Sequence, residues 1–244
     1  MSTERVKDFI ETLVGNPEKK ISLHKQFNSP FQFFSSDDIE MLHAMMYNTK
    51  CSGSGGSGWD TVDKGESKFS DRTQAKTCQD CKTKMIFYHE DVCSECGSTN
   101  LKYPKDSRWG ISSESHLKYF DELAGYRVAL LEPETYSSDC RKFRLRSWFI
   151  ETKNEYLTTY MKYQFDSPKS NHVNFMPLQR DFYRSSPCLH LDAWISLDGN
   201  HEIVYYDVEN KTPEVVPEKY AKFTTEEIMR KKNFGKNRGI TSRN

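Results

Sequence analysis

Gly58-Trp59-Asp60-Thr61-Val62-Asp63-Lys64-Gly65-Glu66-Ser67-Lys68 is the stretch on which the reading of this chain turns. Hydrophobic residues precede a turn-like Asp-Lys-Gly and a short polar run follows it, which is a hairpin signal. With Asp63, Lys64 and Gly65 as a three-residue loop and Gly65 at positive φ, Val62 lies opposite Glu66 and Asp60 opposite Lys68. Side chains alternate along a strand, so Asp60, Glu66 and Lys68 then project from one face. Two carboxylates offer hard oxygen ligands to Mg2+, a cation that keeps several waters and suits phosphate chemistry. An ammonium beside the metal can orient or deprotonate an attacking water. Asp63 and the earlier Glu40 are open as alternative or additional ligands, and a merely solvated strand face is the plain alternative for Glu66-Ser67-Lys68.

A second metal signal follows almost at once. Cys78-Gln79-Asp80-Cys81 and Cys93-Ser94-Glu95-Cys96 are two CxxC knuckles separated by eleven residues. Knuckles on facing turns place four thiolates tetrahedrally around Zn2+, and the short span between them suits the hairpin of a zinc ribbon. Four cysteine ligands leave no open coordination position, so this zinc holds structure and does not activate water. His89 lies between the knuckles, redundant as a ligand, and reads as a surface residue of the ribbon.

Asp60 followed by Glu66-Ser67-Lys68 resembles the active site of the PD-(D/E)XK nucleases, the fold of most type II restriction endonucleases. The wider string from Cys51 through the Gly/Ser run to Lys68, with a cysteine ribbon after it, resembles the MamI-like group of those enzymes. No proline precedes Asp60, and the gap from Asp60 to Glu66 is at the short end for the superfamily. The resemblance implies an α/β (α+β) fold with a restriction-endonuclease-like core, a mixed sheet flanked by helices, and a zinc ribbon inserted after the catalytic hairpin. It implies Mg2+-dependent, sequence-specific cleavage of double-stranded DNA, with Asp60, Glu66 and the Ser67 carbonyl on the metal and Lys68 on the water.

Composition narrows the alternatives. Of 244 residues, 36% are hydrophobic and 29% charged, and thirteen Tyr, fifteen Phe and four Trp argue against disorder. Lys plus Arg equal Asp plus Glu at 35 each, so a nucleic-acid binder with this composition must concentrate its positive charge locally. Seven cysteines, an odd number with CxxC spacing, fit a reducing compartment better than a disulfide scaffold. The N-terminus has no apolar signal core and no window approaches eighteen apolar residues, so the expectation is a cytoplasmic protein without membrane contact.

Along the chain, residues 2–14 have the apolar spacing of a helix, stopped by Gly15-Asn16-Pro17. Four phenylalanines between Lys25 and Phe34 read as packing residues. Ser35-Ser36-Asp37-Asp38 caps a helix with an apolar stripe from Ile39 to Met46, near whose positive end Glu40 sits. Ser52 to Gly58, four glycines and three serines, reads as an active-site loop in preference to a linker. A helix from Ser112 or Ser113 to Leu123, closed by Gly125, precedes a buried strand from Tyr126 to Leu131. Arg141 to Ile150 alternates basic and apolar residues, which sets Arg144 and Arg146 on the strand face opposite Phe143 and Leu145. A helix from about Lys153 to Phe165, an irregular region through Ser185, and a hairpin of Leu191–Leu197 with Glu202–Val208 follow. The chain ends in a short helix, Thr225 to Lys232, and a basic tail.

The organisation expected is one nuclease domain over 1–244. Within it lie an N-terminal helical region and Gly/Ser loop (1–57), a catalytic hairpin (58–70), the ribbon (76–100), core and DNA-recognition elements (106–210) and the tail (224–244). Arg108, Arg144, Arg146, Arg180 and Arg184 are the weaker candidates for DNA contact. Partners expected are double-stranded DNA, a second copy of the chain as a homodimer, and a cognate DNA methyltransferase as companion. Two other functions fit the same residues: a non-catalytic zinc-ribbon nucleic-acid-binding protein, and a repair or junction nuclease on the same fold.

Overall fold

The computed structural model describes residues 2–53, 59–103, 108–110, 121–159, 172–174, 180–221 and 227. Three helices open the chain: α1 (Thr3–Val14), α2 (Pro17–Gln26) and α3 (Ser36–Met46). Each starts at a residue whose side chain accepts a backbone N–H of the first turn: Ser2 for α1, Asn16 for α2 and Ser35 for α3. In α3 the cap is reciprocal, because the Asp38 carboxylate also accepts the N–H of Ser35. The Gly15-Asn16-Pro17 stop of the first helix is thus also the start of the second, with proline at a position where no N–H is needed.

The strands are β1 (Gly65–Asp71), β2 (Thr77–Cys78), β3 (Leu101–Lys102), β4 (Arg108–Gly110), β5 (Gly125–Pro133), β6 (Lys142–Ile150), β7 (His172–Asn174), β8 (Cys188–Ser196) and β9 (Glu202–Tyr206). Five of them form one mixed sheet in the order β1-β5-β6-β8-β9. The β1–β5 pair is parallel, with Glu66 beside Tyr126 and Lys68 beside Val128, and every later pair is antiparallel. A parallel pair demands a long crossover, and the cysteine ribbon and the stretch up to residue 124 occupy that connection. β2 pairs with β3 at the base of the ribbon, and β4 pairs with β7 in a separate two-stranded ladder.

The sheet's central strands are buried on both faces. Phe69, Ala129, Leu131, Phe143, Leu145, Ala193 and Ile195 meet Val6, Ile10, Val14, Ile39, Leu42 and Met46 of α1 and α3, with Phe31, Phe33 and Phe34 filling between them. The other face carries Tyr126, Val128, Leu130, Trp148 and Ile150, packed with Leu123, Tyr156, Leu157 and Phe182. β5 is accordingly buried along nearly its whole length, as a central strand covered on both sides must be. The mixed α/β sheet flanked by helices is the fold class expected.

Several expectations change in detail. Gly65 is not the positive-φ residue of the turn: Lys64 is, at φ 64°, and Gly65 begins β1. A Cβ on Gly65 would lie 2.5 Å from the Arg127 guanidinium and 2.7 Å from Thr61 Oγ1, so this glycine serves close approach. Among the described residues β1 has no antiparallel hairpin partner. Instead Thr61 N–H donates to the Gly65 carbonyl at 3.2 Å, and Thr61 forms an isolated bridge with Cys51. Gly125 likewise starts a strand where it was expected to end a helix, because a Cβ there would collide with the Phe149 ring. The region expected to be irregular contains β7 and a short helix α4 (Arg180–Arg184). The hairpin near the end turns at Asp198–Asn200 with Gly199 at φ 85°.

The helix expected from Ser112 is described only at residues 121–122, and that from Lys153 only at 155–159, helical in both cases. Most of the Gly/Ser loop lies outside the described residues, as do the helix at Thr225 and the basic tail apart from Glu227. Among the described residues no helix is long and apolar enough to cross a membrane.

Candidate active site and metal centre

Strand β1 is an edge of the sheet, and its open side faces the N-terminal half of α3. Ser36, Ile39 and Glu40 from the helix, Asp60 from the turn, and Ser67, Lys68 and Phe69 from the strand line a cleft of about 150 Å3 between them. Asp60 reaches β1 through its carboxylate, since Oδ2 accepts the Ser67 N–H at 2.6 Å. Glu66, 5% exposed, pairs through Oε1 with the Lys68 ammonium, which also donates to the Ser67 carbonyl at 3.0 Å. The other Glu66 oxygen, Oε2, is buried without a hydrogen-bond partner. Burial, offset by Lys68 and reinforced by Asp60, holds the Glu66 carboxyl above its ordinary range.

Glu40 feels the same cluster from the helix side. Its carboxyl is pushed up to about 7 by burial and then by the negative charges of Asp60, Asp37 and Glu66, against the pull of Lys68. Glu40 and Glu66, both raised with the Asp60 charge among the causes, form with Asp60 a negative group whose charge a divalent cation would neutralise. The orphaned Glu66 oxygen supplies a ligand atom with no other use, so the residues present fit Mg2+. The spacing is loose: among the described residues, only the four cysteines bring three or more ligating side chains within 4.8 Å of one another.

Asp63 belongs elsewhere. Its carboxylate is bound by Arg127 and by Thr61 Oγ1 at 2.7 Å, and these bonds outweigh burial and hold it below the usual range. Arg127, 2% exposed, also donates to Thr61 Oγ1 at 2.7 Å and lies over the Tyr47 ring at 4.0 Å. This guanidinium therefore fixes the turn that carries Asp60. Lys64, strained at positive φ, lies over Trp59 at 4.7 Å and pairs with Glu122 at 3.3 Å.

Two residues that are not among the sequence candidates complete the scaffold. Arg127 could have been found as the lone cation in the apolar run from Tyr126 to Leu131, where a charge must have a partner. His43, fully buried, bridges Ser67 Oγ on β1 and Ser147 Oγ on β6, the latter at 2.9 Å. It ties α3 to the strand between Glu66 and Lys68. Burial, then the positive charge of Arg127 and His190, lowers its pKa to about 3, so it acts as a neutral strut.

The ribbon brings its cysteines together as the spacing required. Cys78 and Cys96 sulfurs are 3.6 Å apart and those of Cys81 and Cys93 3.5 Å, with all four within 4.8 Å and none in a disulfide. This four-cysteine cluster can bind zinc. Ala75, Met85 and Leu101 pack around Cys78 and Cys93 in a small core of their own. His89 is half-buried and stacks on Phe87, away from ligand duty.

The arginine ladder is on the predicted face, but it is engaged. Arg144 makes a bidentate pair with Asp192 at 2.9 and 2.6 Å, and Arg146 pairs with Glu132 at 2.6 Å. Arg108 is in β4 opposite Asn174, Arg180 and Arg184 are in α4, and Arg184 is half-buried. Arg144, Arg146 and Arg184 do not line the carboxylate cleft. Asp198 and Asp207 accept backbone N–H groups in their own turns, at 2.9 Å each, and with Asp192 paired to Arg144 no second acidic site forms from them.

Among the described residues stand a sheet-edge cleft of carboxylates and lysine and a separate cluster of four cysteines, and comparison gives that architecture its class: a family model describing a restriction endonuclease matches residues 40–219. The match spans roughly three quarters of the chain and takes in Glu40, Asp60, Glu66, Lys68 and all four ribbon cysteines. The chain belongs to the MamI restriction endonuclease family. No curated protein and no solved structure gives a significant match.

Proposed function

We propose that the chain is a type II enzyme that cuts double-stranded DNA at a specific sequence by Mg2+-dependent phosphodiester hydrolysis, using a PD-(D/E)XK site of Asp60, Glu66 and Lys68. The observation that carries this reading is the orphaned, buried Glu66 oxygen, on the strand that borders a cleft lined by Glu40, Asp60 and Lys68. Asp60, Glu66 and the Ser67 carbonyl are the proposed ligands, and Glu40 joins them from α3. Mg2+ held there supplies Lewis-acid polarisation of a phosphoryl oxygen and a more acidic water.

The chain's own groups do the rest. Two of the three N–H donors of Lys68 are spent on Glu66 and the Ser67 carbonyl. The third is left to hold the attacking water or a non-bridging phosphoryl oxygen. Because Lys68 is anchored twice, it needs little reorganisation as charge builds on phosphorus. The water attacks in line with the 3′ oxygen, whose bond to phosphorus breaks, leaving a 5′ phosphate.

The whole chain is read as one nuclease domain carrying an inserted zinc ribbon. Arg108, Arg180 and Arg184 are proposed DNA contacts, joined by Arg144 and Arg146 if phosphate displaces their carboxylate partners. Cutting both strands of a symmetric site calls for a homodimer, and a methyltransferase protecting the same sequence is the expected companion. The test is digestion of plasmid and linear DNA by the parent protein and by Lys68→Ala. Discrete fragments with Mg2+, none with EDTA, and cleavage lowered at least about a hundredfold in the variant with DNA binding retained are expected. Unchanged cutting by Lys68→Ala removes that residue from the mechanism, and binding without cutting under every divalent ion tried leaves a non-catalytic module.

A further inference from the structure

Behind the turn that presents Asp60 lies a second cavity, of about 410 Å3, with a different chemistry. Its inner end is the Arg127 guanidinium on the Tyr47 ring, with Asp63 beside it. Its wall includes Phe149, half-buried, whose ring stacks on that of His190, 5° apart in plane with centroids 5.7 Å apart, while His190 itself is only 2% exposed. His190 comes to this wall by a bulge. Trp148 and Ser147 of β6 pair with Leu189 and Leu191 of β8, so His190 is the extra residue and is turned out of the ladder. Two bonds then fix it, since Nδ1 meets the Tyr47 hydroxyl at 2.6 Å and Nε2 the Asn210 carbonyl at 2.9 Å.

The rim is cationic. Lys153 and Lys211 are exposed at the mouth and form no ion pair among the described residues, while Glu151 is the one free carboxylate there. Arg127 and Asp63 cancel inside. The part-exposed Phe149 ring suits a planar heterocycle, and an excess of ammonium groups at the mouth suits a phosphate.

We propose that this cavity is a mononucleotide site, taking a nucleobase against Phe149, which His190 backs, with its phosphate at Lys153 and Lys211. The base comes either from DNA, as an unpaired nucleotide displaced from the stack, or from a free nucleotide. Either source communicates with the cleft through one short turn, because Asp63 lines the cavity, Asp60 lines the cleft, and Arg127 holds Thr61 and Asp63 between them. The site stands independently of whether the cleft hydrolyses DNA.

The test uses the full chain in Ca2+ without Mg2+. The four deoxynucleoside 5′-monophosphates are titrated by calorimetry, and labelled duplexes with one bulged nucleotide or none by anisotropy. Saturable binding of a monophosphate without preference for the bulged duplex assigns the site to free nucleotides. A bulged duplex favoured by roughly fivefold or more assigns it to DNA. In either case Phe149→Leu and the Lys153→Ala, Lys211→Ala pair each weaken the interaction by at least roughly fivefold. The lysines are exposed, so their variant reports even if Phe149→Leu disturbs the packing against Gly125. Neither monophosphate binding nor bulge preference, or binding that survives both sets of variants, overturns the proposal.

Discussion

Glu40 shows how far a single residue's role depends on its neighbours in space. On the sequence it is a carboxylate in the first half of a helix, where the helix dipole alone explains it. In the fold it faces Asp60 across the cleft, and burial with that negative charge lifts its pKa to about 7. As a ligand at the far side of the site, Glu40 should strengthen metal binding more than it speeds chemistry. Glu40→Gln is expected to raise the Mg2+ concentration for half-maximal cleavage by roughly ten- to a hundredfold while leaving the rate at saturating metal within a few-fold. A titration with unchanged metal dependence would assign Glu40 to the helix surface. Glu66 and Lys68 are legible as neighbours because strand periodicity alone puts them on one face, whereas Asp60 arrives through its carboxylate on the Ser67 N–H and not through the hairpin expected. Glu40 and Arg127 are not legible, since their partners come from other elements. The turn rule points to glycine for the positive φ that Lys64 adopts, whereas here the missing Cβ of Gly65 is needed to admit a guanidinium.

Among the elements, α3 has the closest connection to the cleft, and its His43 strut makes that connection sensitive to pH. An imidazole in the unfolded chain titrates near 6.5, while His43 stays neutral in the fold down to about 3. Between those values the unfolded chain binds a proton that the folded chain refuses. The contribution is therefore fully present above about pH 6.5 and is lost as pH falls toward 3, with a slope approaching about 1.4 kcal/mol per unit. Glu40, whose carboxyl is raised, adds stability in the opposite direction as pH falls through about 7, so the comparison must be with His43→Gln and not with the parent alone. Urea unfolding at pH 7 and pH 5 should show a markedly smaller loss of stability in His43→Gln, and equal losses in the two proteins would remove the strut. The ribbon is the other element with a clear expectation. One zinc per chain by elemental analysis is predicted, falling in Cys78→Ser and Cys96→Ser together with order in the ribbon; full zinc content in both variants would count against the four-thiolate assignment. The ribbon is readable because two CxxC pairs encode their own geometry. Helix α2 is not, because Asn16-Pro17 signals the end of one helix and the start of the next with the same residues.

At the scale of the whole molecule, the order of elements is readable but the pairing of strands is not. An E-x-K strand, a crossover and a buried strand imply a mixed sheet, yet nothing local to Gly65–Asp71 says that its one partner is β5 and that its other edge is open to α3 and Asp60. That open edge bears on assembly. Among the described residues of each chain there is one carboxylate-lysine cleft, at the edge of the main sheet, and a double-strand cut requires two attacks on strands of opposite polarity. A formal net charge of zero imposes no long-range repulsion between two copies. The chain is therefore expected to act as a twofold-symmetric pair, with one cleft on each strand. Sedimentation of the protein with Ca2+ and cleavable DNA should give a protein mass of twice 28.6 kDa per duplex. Mixing parent with excess Lys68→Ala sharpens the measurement: a pair containing one inactive cleft nicks one strand, so open-circular plasmid accumulates in place of the linear product. If linear DNA still forms in one step at high variant excess, each chain cuts both strands by itself and the symmetric pair is excluded.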